Sequence, residues 1–265
     1  MAKTLSRRFV LQSLPAGVAA ASHTLSFSSA SRPIPVSKAE GAFIIHNDLP
    51  WALETRRNHF GFGPITSASQ LFVRNNLPAP PASLTDQGDD WSFDVVGCAR
   101  EGSLTLADLK RMKSRTVATV LQCSGNGRDF FPHDPSGSQW GVGAAGCVLW
   151  TGVSVADIFE QFGGVQSGLA YLTATGGEEL PEGVDKDAVV VERSVPIEKG
   201  LKDCLLVWEM NGAPLPVIHG GPLRLVVPGY FGVNNVKWVR QLADTAGEAG
   251  AKIQQSGERM RPDGI

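Results

Sequence analysis

The sequence predicts an α+β fold built from many short elements. Gly occurs 30 times and Pro 17 times among 265 residues, and both residue types interrupt helices and strands. The apolar segments between these interruptions are short, and some follow the two-residue period of strands while others follow the period of helices. This mixture favours helices packed on sheets over a helix bundle.

The first 30 residues predict a targeting segment rather than part of the fold. Arg7 and Arg8 precede a weakly apolar, Ala-rich stretch over residues 11–25, in the pattern of a cleaved twin-arginine signal. The apolar run is too short and too interrupted for a membrane span, so stable membrane insertion is not expected. The segment predicts periplasmic localisation, and a disordered N-terminal tail is the alternative.

Residues 31–242 are expected to form one domain, followed by a polar C-terminal tail over residues 243–265 that shows no hydrophobic period. A chain of this length can bury one sizeable core or two small ones. The formal net charge is −2, so no basic field invites nucleic acid. The oligomeric state is left open.

Several elements can be predicted along the domain from hydrophobic period and turn residues. Residues 77–90 are a Pro- and Asp-rich surface connection, and Asn211-Gly212 is a hairpin turn. Ser154 is the expected N-cap of a helix that buries Val155, Ile158, Phe159 and Phe162. The other predicted elements are a helix over 104–112 and strands over 91–96, 117–121, 205–210 and 223–227.

The strand over residues 117–121 leads to the most informative residues of the chain. It stops at Cys123, and Ser-Gly-Asn-Gly then supplies residues that tolerate left-handed backbone and tight turns. A thiol is thus held at the edge of a loop whose amides are expected to face a ligand, with Arg128 adding a positive charge. The alternative is a buried structural cysteine, because free cysteine is often buried.

The other cysteines are Cys98, Cys147 and Cys204, and the four cysteines show neither CxxC nor CxxCH spacing. Zinc ribbons, thioredoxin-like redox centres and covalently attached haem are therefore unsupported. A disulfide among these three is compatible with an exported protein, but the sequence does not pair them.

Three segments, in order along the chain, resemble the sulfite oxidase family of molybdenum-cofactor enzymes. LQCSGNGR around Cys123 resembles the family's LQCAGNRR, and FVRNNLP from Phe72 resembles FxRNHLPVP. The segment from His219 to Trp238 resembles HGFPVRVVVPG…GARSVKW. The resemblance implies a mixed α/β molybdopterin-binding domain of the sulfite oxidase type.

By this resemblance, the cofactors are molybdenum and molybdopterin, and Cys123 is the protein's ligand to the metal. A thiolate is a soft donor that suits such a metal centre. The family's cofactor contacts match Asn75, Asn76, His219, Arg224, Asn235, Val236 and Lys237.

The resemblance also implies a substrate site for an oxyanion. Arg74 and Arg128 match family arginines, and a guanidinium offers the planar fork of donors that suits sulfite. Trp140 matches the family's tryptophan at the mouth of the substrate pocket, and a core aromatic is the close alternative. Arg74, Cys123, Arg128 and Trp140 are therefore the predicted catalytic residues.

The implied function is oxidation of sulfite to sulfate by oxo transfer, with electrons leaving to a c-type cytochrome or another carrier. Many family members continue past VKW into a pocket tyrosine and a C-terminal dimerisation domain, which this sequence is expected to lack. Two alternatives therefore stay open: the same cofactor with another sulfur substrate (sulfoxide reduction or sulfane oxidation), and a non-catalytic remnant.

Overall fold

The computed structural model describes residue 35 and residues 37–61, 63–133, 135–178, 180, 182–183 and 191–257. The predicted signal over residues 1–30 lies outside the described residues. Among the described residues, the strands are β1 (Phe43–Asp48), β2 (Trp51–Thr55), β3 (Val73–Arg74), β4 (Ser92–Val96), β5 (Gly102–Thr105), β6 (Arg115–Gln122), β7 (Ala145–Ser154), β8 (Tyr171–Gly176), β9 (Glu192–Pro196), β10 (Leu205–Met210), β11 (Ala213–Pro214), β12 (Arg224–Val226) and β13 (Val239–Thr245). The α-helices there are α1 (Ala82–Thr85), α2 (Leu106–Arg111), α3 (Val155–Gln161) and α4 (Ile197–Asp203).

The described strands form three sheets. The first has the order β1-β2-β3 and is antiparallel. The second has the order β11-β10-β7-β6, with β12 also paired to β10. The third has the order β5-β4-β13-β8-β9, in which β13 and β4 run parallel. Helices together with two antiparallel sheets and one mixed sheet confirm the α+β class.

Several predicted ends of helices and strands are confirmed by the structure. The Ser154 hydroxyl accepts a hydrogen bond from the Asp157 amide at 3.1 Å and caps α3, which satisfies one of the open amides of the first turn. Strand β10 spans the predicted residues, and Asn211 adopts a left-handed conformation (φ 55°) in the turn that follows. The predicted helix over 104–112 is shorter, because Leu104 and Thr105 belong to β5 and Thr105 caps α2.

The expected boundary at residue 242 is wrong, because the domain continues beyond it. Strand β13 runs to Thr245, and Ala249, Ala251 and Gln254 are buried. The Gln254 side chain accepts a hydrogen bond from the Ser194 amide at 3.2 Å. Small and polar residues carry this packing, so the segment lacks the apolar period that a sequence pattern detects.

The second sheet fixes the position of Cys123. All eight residues of β6 pair with β7, from Arg115 opposite Gly152 to Gln122 opposite Ala145, so the end of β6 is fixed by a continuous ladder. A core of apolar side chains, which includes Phe72, Leu121, Trp140, Trp150 and Val226, packs beside it. The strand is longer than predicted at both ends. Within the described part of the chain, no helix is long and apolar enough to cross a membrane.

Candidate functional site

One pocket brings together most of the residues predicted from the sequence. It encloses about 700 Å³ of space between the protein atoms, including the solvent at its open mouth. The predicted residues that line it are Arg74, Asn75, Asn76, Cys123, His219, Arg224, Asn235, Val236 and Lys237. Residues from β3, the end of β6, β12 and the segment before β13 therefore meet at one place.

Cys123 stands where β6 ends, with its side chain half-buried at the pocket wall. Its amide donates to the carbonyl of Ala144 at 2.9 Å, which extends the pairing with the neighbouring chain by one residue. The turn after it requires glycine at position 127, where φ is +90°. The thiol is thus held by a rigid strand, as the sequence predicts.

Three amides of the loop after Cys123 are used within the protein and do not face a ligand, contrary to the expectation from the sequence. The amides of Asn126, Gly127 and Arg128 donate to the carbonyls of Cys123, Gly141 and Gly125, at 3.0, 2.6 and 3.0 Å. The Asn126 side-chain oxygen also accepts from the Ala144 amide at 2.9 Å. These bonds serve to build the turn itself, because a tight loop must satisfy its own polar groups.

Three basic side chains form what we call the basic floor of the pocket: His219, Arg224 and Lys237. Arg224 donates to the backbone carbonyl of His219 at 2.7 Å, and its guanidinium carbon lies 5.3 Å from the ring centre of Trp150. Lys237 donates to the carbonyl of Ile218 at 2.8 Å and to the side-chain oxygen of Asn75. His219 and Arg224 are 1% and 2% exposed.

Burial disfavours the charged forms of all three groups, and mutual repulsion adds to this for His219 and Lys237. Burial lowers the pKa of His219 well below its ordinary value, and the charges of Lys38, Lys237 and Arg224 lower it further. Burial likewise lowers the pKa of Lys237, with Arg224 and Lys38 adding to the effect. Concentrated buried positive charge is costly unless an anion neutralises it. The basic floor is therefore suited to an anionic group.

The predicted asparagines hold the pocket wall. Asn75 ties the segment after β3 to the basic floor through Lys237. The side chain of Asn235 accepts from the Val227 amide at 2.9 Å and donates to the Phe231 carbonyl at 3.0 Å. Asn235 thus shapes the loop between β12 and β13, while the neighbouring Val236 is buried at the pocket wall.

Glu178 is a pocket residue that the sequence analysis missed. It follows β8, and its buried Oε2 has no hydrogen-bond partner among the described residues. Burial raises the pKa of the Glu178 carboxyl to about 7, against an opposing effect of its own backbone amide and of Lys237. A carboxyl with such a pKa can hold or release a proton near neutral pH. No motif marked it, because its neighbours are glycines and acids of ordinary loop composition.

Arg74 lies at the exposed end of the pocket. With Cys123 and Ser124 it forms what we call the rim. Its side chain is exposed and donates to the backbone carbonyl of Asn75. The guanidinium is therefore close to the thiol-bearing wall and still accessible to a ligand that enters from solvent.

Two predicted catalytic residues lie elsewhere. Arg128 lines a neighbouring pocket with His133 and donates to the carbonyl of Ser138 at 3.0 Å. Its guanidinium fits between Gly125 and Gly137, where an added Cβ would stand 2.8 and 2.5 Å from guanidinium atoms. Ser124 borders both pockets, so Arg128 approaches the site from the far side of the cysteine loop.

Trp140 is a core residue rather than a residue at the pocket mouth. It is 1% exposed and packs against the rings of His46 and Phe72, with centroids 4.8 and 6.3 Å away. An indole buries a large apolar area, and this core sits directly behind β6. The alternative interpretation of Trp140 as a core aromatic therefore fits the structure.

The residues present fit a molybdenum cofactor. The pocket offers a thiol at its wall, and buried polar atoms without partners among the described residues, Arg224 Nε and Glu178 Oε2. Such atoms are rare in folded proteins unless a ligand satisfies them. The described residues contain no cluster of three or more His, Cys, Asp or Glu side chains that could hold a metal ion.

Comparison with known proteins agrees with this chemistry. Residues 79–251 match the family model described as the oxidoreductase molybdopterin binding domain. The chain is 33% identical to the mitochondrial sulfite oxidase of Rattus norvegicus over 188 residues, which cover 68% of this chain and 33% of that protein. It is 30% identical to the mitochondrial sulfite oxidase of Drosophila melanogaster over 191 residues, 70% of this chain and 32% of that protein. It thus spans about a third of the length of these relatives.

A solved structure supports the fold. The sulfane dehydrogenase SoxCD from Paracoccus pantotrophus is similar with a TM-score of 0.68 and 24% identity, covering 94% of this chain and 61% of that chain. The family match covers well over half of the present sequence, and the pocket offers the donors that its cofactor needs. The chain therefore belongs to the sulfite oxidase family of molybdopterin oxidoreductases, and its cofactor is the molybdenum cofactor.

Proposed function

We propose that this protein oxidises sulfite to sulfate. One observation carries the proposal: a single pocket joins a half-buried thiol, Cys123, to a buried basic floor and to an exposed arginine, Arg74. The bound cofactor supplies two-electron redox chemistry and oxygen-atom transfer. The chain's own residues supply binding, orientation and charge stabilisation.

We assign a role to each group of residues according to how deep it lies in the pocket. The basic floor holds the phosphate of the pterin, because buried cations near one another gain most from a dianion. Cys123 would ligate the metal as a thiolate, because a thiol that coordinates a metal loses its proton. Arg74 meets the anionic substrate at the rim, where its fork of donors replaces water that the substrate loses. Asn75, Asn76, Asn235 and Val236 complete the cofactor wall.

Electrons then leave to an external carrier, such as a c-type cytochrome. We propose a periplasmic protein, on the basis of the twin-arginine pattern at Arg7 and Arg8. Replacing both by Lys is expected to leave unprocessed protein in the cytoplasm. Immunoblots of periplasmic and cytoplasmic fractions check this, and normal export of the variant contradicts it.

The test of the function measures molybdenum per chain and sulfite-dependent reduction of cytochrome c in the same preparation. We expect about one metal per chain and saturable turnover that is lost when the cofactor is absent. Metal-loaded protein without turnover on sulfite would reject the substrate, and protein that never takes up metal would favour the non-catalytic alternative.

A second substrate class is favoured by the position of Arg128. Because Arg128 faces the neighbouring pocket, Arg74 is the arginine that remains at the rim for an anion. The pocket also has apolar walls from Phe72, Leu121, Val191 and Val233, which suit a sulfur compound with an organic group. Turnover with methionine sulfoxide and with a persulfide, compared with sulfite in one preparation, separates these substrates.

A further inference from the structure

Lys38 stands directly behind the basic floor and is absent from the motifs discussed above. It precedes β1, lies outside the matched residues 79–251, and is 7% exposed. Its Nζ donates to the carbonyls of Ala68 and Leu71 at 2.6 and 2.7 Å. The same Nζ lies 2.6 Å from Nε2 of His219, whose ring lines the pocket. Lys38 does not line the pocket itself and contacts the pocket-lining side chain of His219.

The short contact between the two nitrogens fixes the number of protons that they share. An ammonium has no acceptor lone pair, and neither has an imidazolium. Two such groups cannot hydrogen-bond to each other, and two nitrogens that both present a lone pair would repel, so one nitrogen must donate a hydrogen to the other. One proton therefore lies between Nζ and Nε2. Because Nζ also donates to two carbonyls, the ring of His219 is held in one orientation.

The surroundings explain why a second proton is unfavourable in the empty pocket. Arg224 donates to the backbone carbonyl of His219, and Lys237, in the segment before β13, donates to the carbonyl of the preceding residue, Ile218. Arg74 contributes a further positive charge, and Glu178 is the carboxyl that lines this pocket among the described residues. Consistent with this, burial lowers the pKa of Lys38 to about 7. An anion in the pocket would reverse the balance.

We propose that Lys38 is a positioning residue that orients His219 through one shared proton, and that the pair takes up a second proton when a phosphate group binds. The proton comes from solvent, and its uptake replaces the contact between Nζ and Nε2 by a charge-assisted bond from His219 to the phosphate. This proposal rests on the proposed role of the basic floor as the phosphate site. It extends the cofactor site to a residue that does not touch the cofactor.

The first test reads the histidine ring directly. The full chain, prepared without cofactor and labelled with ¹⁵N-histidine, is titrated from pH 5 to pH 8 by NMR, with His219→Gln used only to assign the signal. We expect the His219 ring to stay neutral across this range and to gain a proton when inorganic phosphate is added. A His219 signal that titrates near its ordinary value of about 6.5, or that ignores phosphate, overturns the proposal.

The second test uses Lys38→Met, with Lys110→Met as the control at an exposed lysine that pairs with Asp89. Lys38→Met is expected to change the ring-nitrogen shifts of His219 and the number of protons taken up on phosphate binding, measured by calorimetry in two buffers of different ionisation enthalpy. Loss of a partner behind a cofactor-binding group weakens affinity by roughly 10–100-fold, so cofactor content per chain should fall in parallel. Unchanged His219 shifts in folded Lys38→Met overturn the proposal.

These outcomes separate the inference from the proposed function. The wild-type titration does not depend on Lys38→Met, so it decides the point even if that variant does not fold. Failure to oxidise sulfite would leave the NMR result standing, because the ring signals are read without cofactor. Conversely, a His219 that titrates as an exposed imidazole would reject the role of Lys38 while sulfite turnover remained intact.

Discussion

The basic floor and the rim of the pocket are built by opposite means. In the basic floor, His219 and Arg224 are buried and each contacts at least one other floor or backing residue. At the rim, Arg74 is exposed and Cys123 is half-buried at the end of one strand. The basic floor is fixed before any ligand arrives, whereas the rim stays accessible. This difference predicts that floor substitutions change cofactor retention and rim substitutions change turnover.

The largest effect is expected at Cys123. Cys123→Ser replaces a soft thiolate by a hard, largely protonated hydroxyl, so turnover should fall by more than the roughly 100-fold typical of losing an outer-shell partner. Pterin content should change much less, because the basic floor is intact. Steady-state kinetics and pterin fluorescence check both values. Cys147→Ser, at a half-buried thiol on β7, is the matched control, and full activity of Cys123→Ser would reject the assignment.

Arg224→Met tests the basic floor. Removing one partner of a desolvated charge pair costs about 2–5 kcal/mol, which is roughly 30-fold to several thousand-fold in affinity. We expect the affinity for the cofactor to fall within this range, and the content of molybdenum and pterin per chain measures the loss. Stability of the cofactor-free protein should change little, because a buried charge is replaced by an apolar side chain of similar length. Wild-type cofactor content in this variant would remove Arg224 from the phosphate site.

Arg74→Gln and Arg128→Gln distinguish the role of the rim from the role of the neighbouring pocket. Arg74 is exposed, so we expect the lower end of the same range, about 2 kcal/mol or roughly 30-fold, as a higher KM for sulfite with molybdenum content unchanged. Arg74→Lys should restore only part of the affinity for sulfite, because an ammonium lacks the planar fork of donors of a guanidinium. Arg128→Gln removes a bond to Ser138, worth about 1 kcal/mol, and should lower Tm more than it changes KM. Equal effects on KM would show that both arginines act on substrate.

Sequence patterns predicted the residues of the rim better than the residues that surround the basic floor. Strand β6, its cysteine and the cap at Ser154 follow from local period and turn residues. The sequence patterns did not identify Lys38 or Glu178. Lys38 contacts a residue 181 positions away along the chain. Glu178 is unusual only because its loop buries it. The first sheet (β1-β2-β3) was also missed, since its strands are short and β1 carries half-exposed and exposed residues.

Trp140 and Arg128 show a different limit. Both match family positions in sequence, yet Trp140 is buried in the core and Arg128 packs between two glycines beside the pocket. A motif places residues along the chain, and side-chain direction then depends on the surrounding packing. The glycines at 125 and 137 decide the position of Arg128, because a Cβ at either would occupy its space.

The smallest effect concerns Glu178, which lines the same pocket and has a raised pKa of about 7. A carboxyl whose folded pKa is raised binds more protons in the folded state than in the unfolded state between pH 4.5 and pH 7. Its contribution to the free energy of unfolding is therefore present below about pH 4.5 and is lost as the pH rises to 7. Glu178→Gln removes this titration. The variant should match wild type near pH 4.5 and become the more stable of the two by pH 8.

The residue is only partly buried by area, so solvent screening reduces the effect to about 1 kcal/mol, or roughly 2–4 °C in Tm for a domain of this size. Thermal unfolding of cofactor-free protein at pH 5 and pH 8 measures the difference, with Glu192→Gln on β9 as the control at another partly buried carboxyl. A constant Tm difference at both pH values would mean that Glu178 is ionised throughout. In that case the carboxylate is already neutralised by Lys237, and the pocket carries less net positive charge than the basic floor alone suggests.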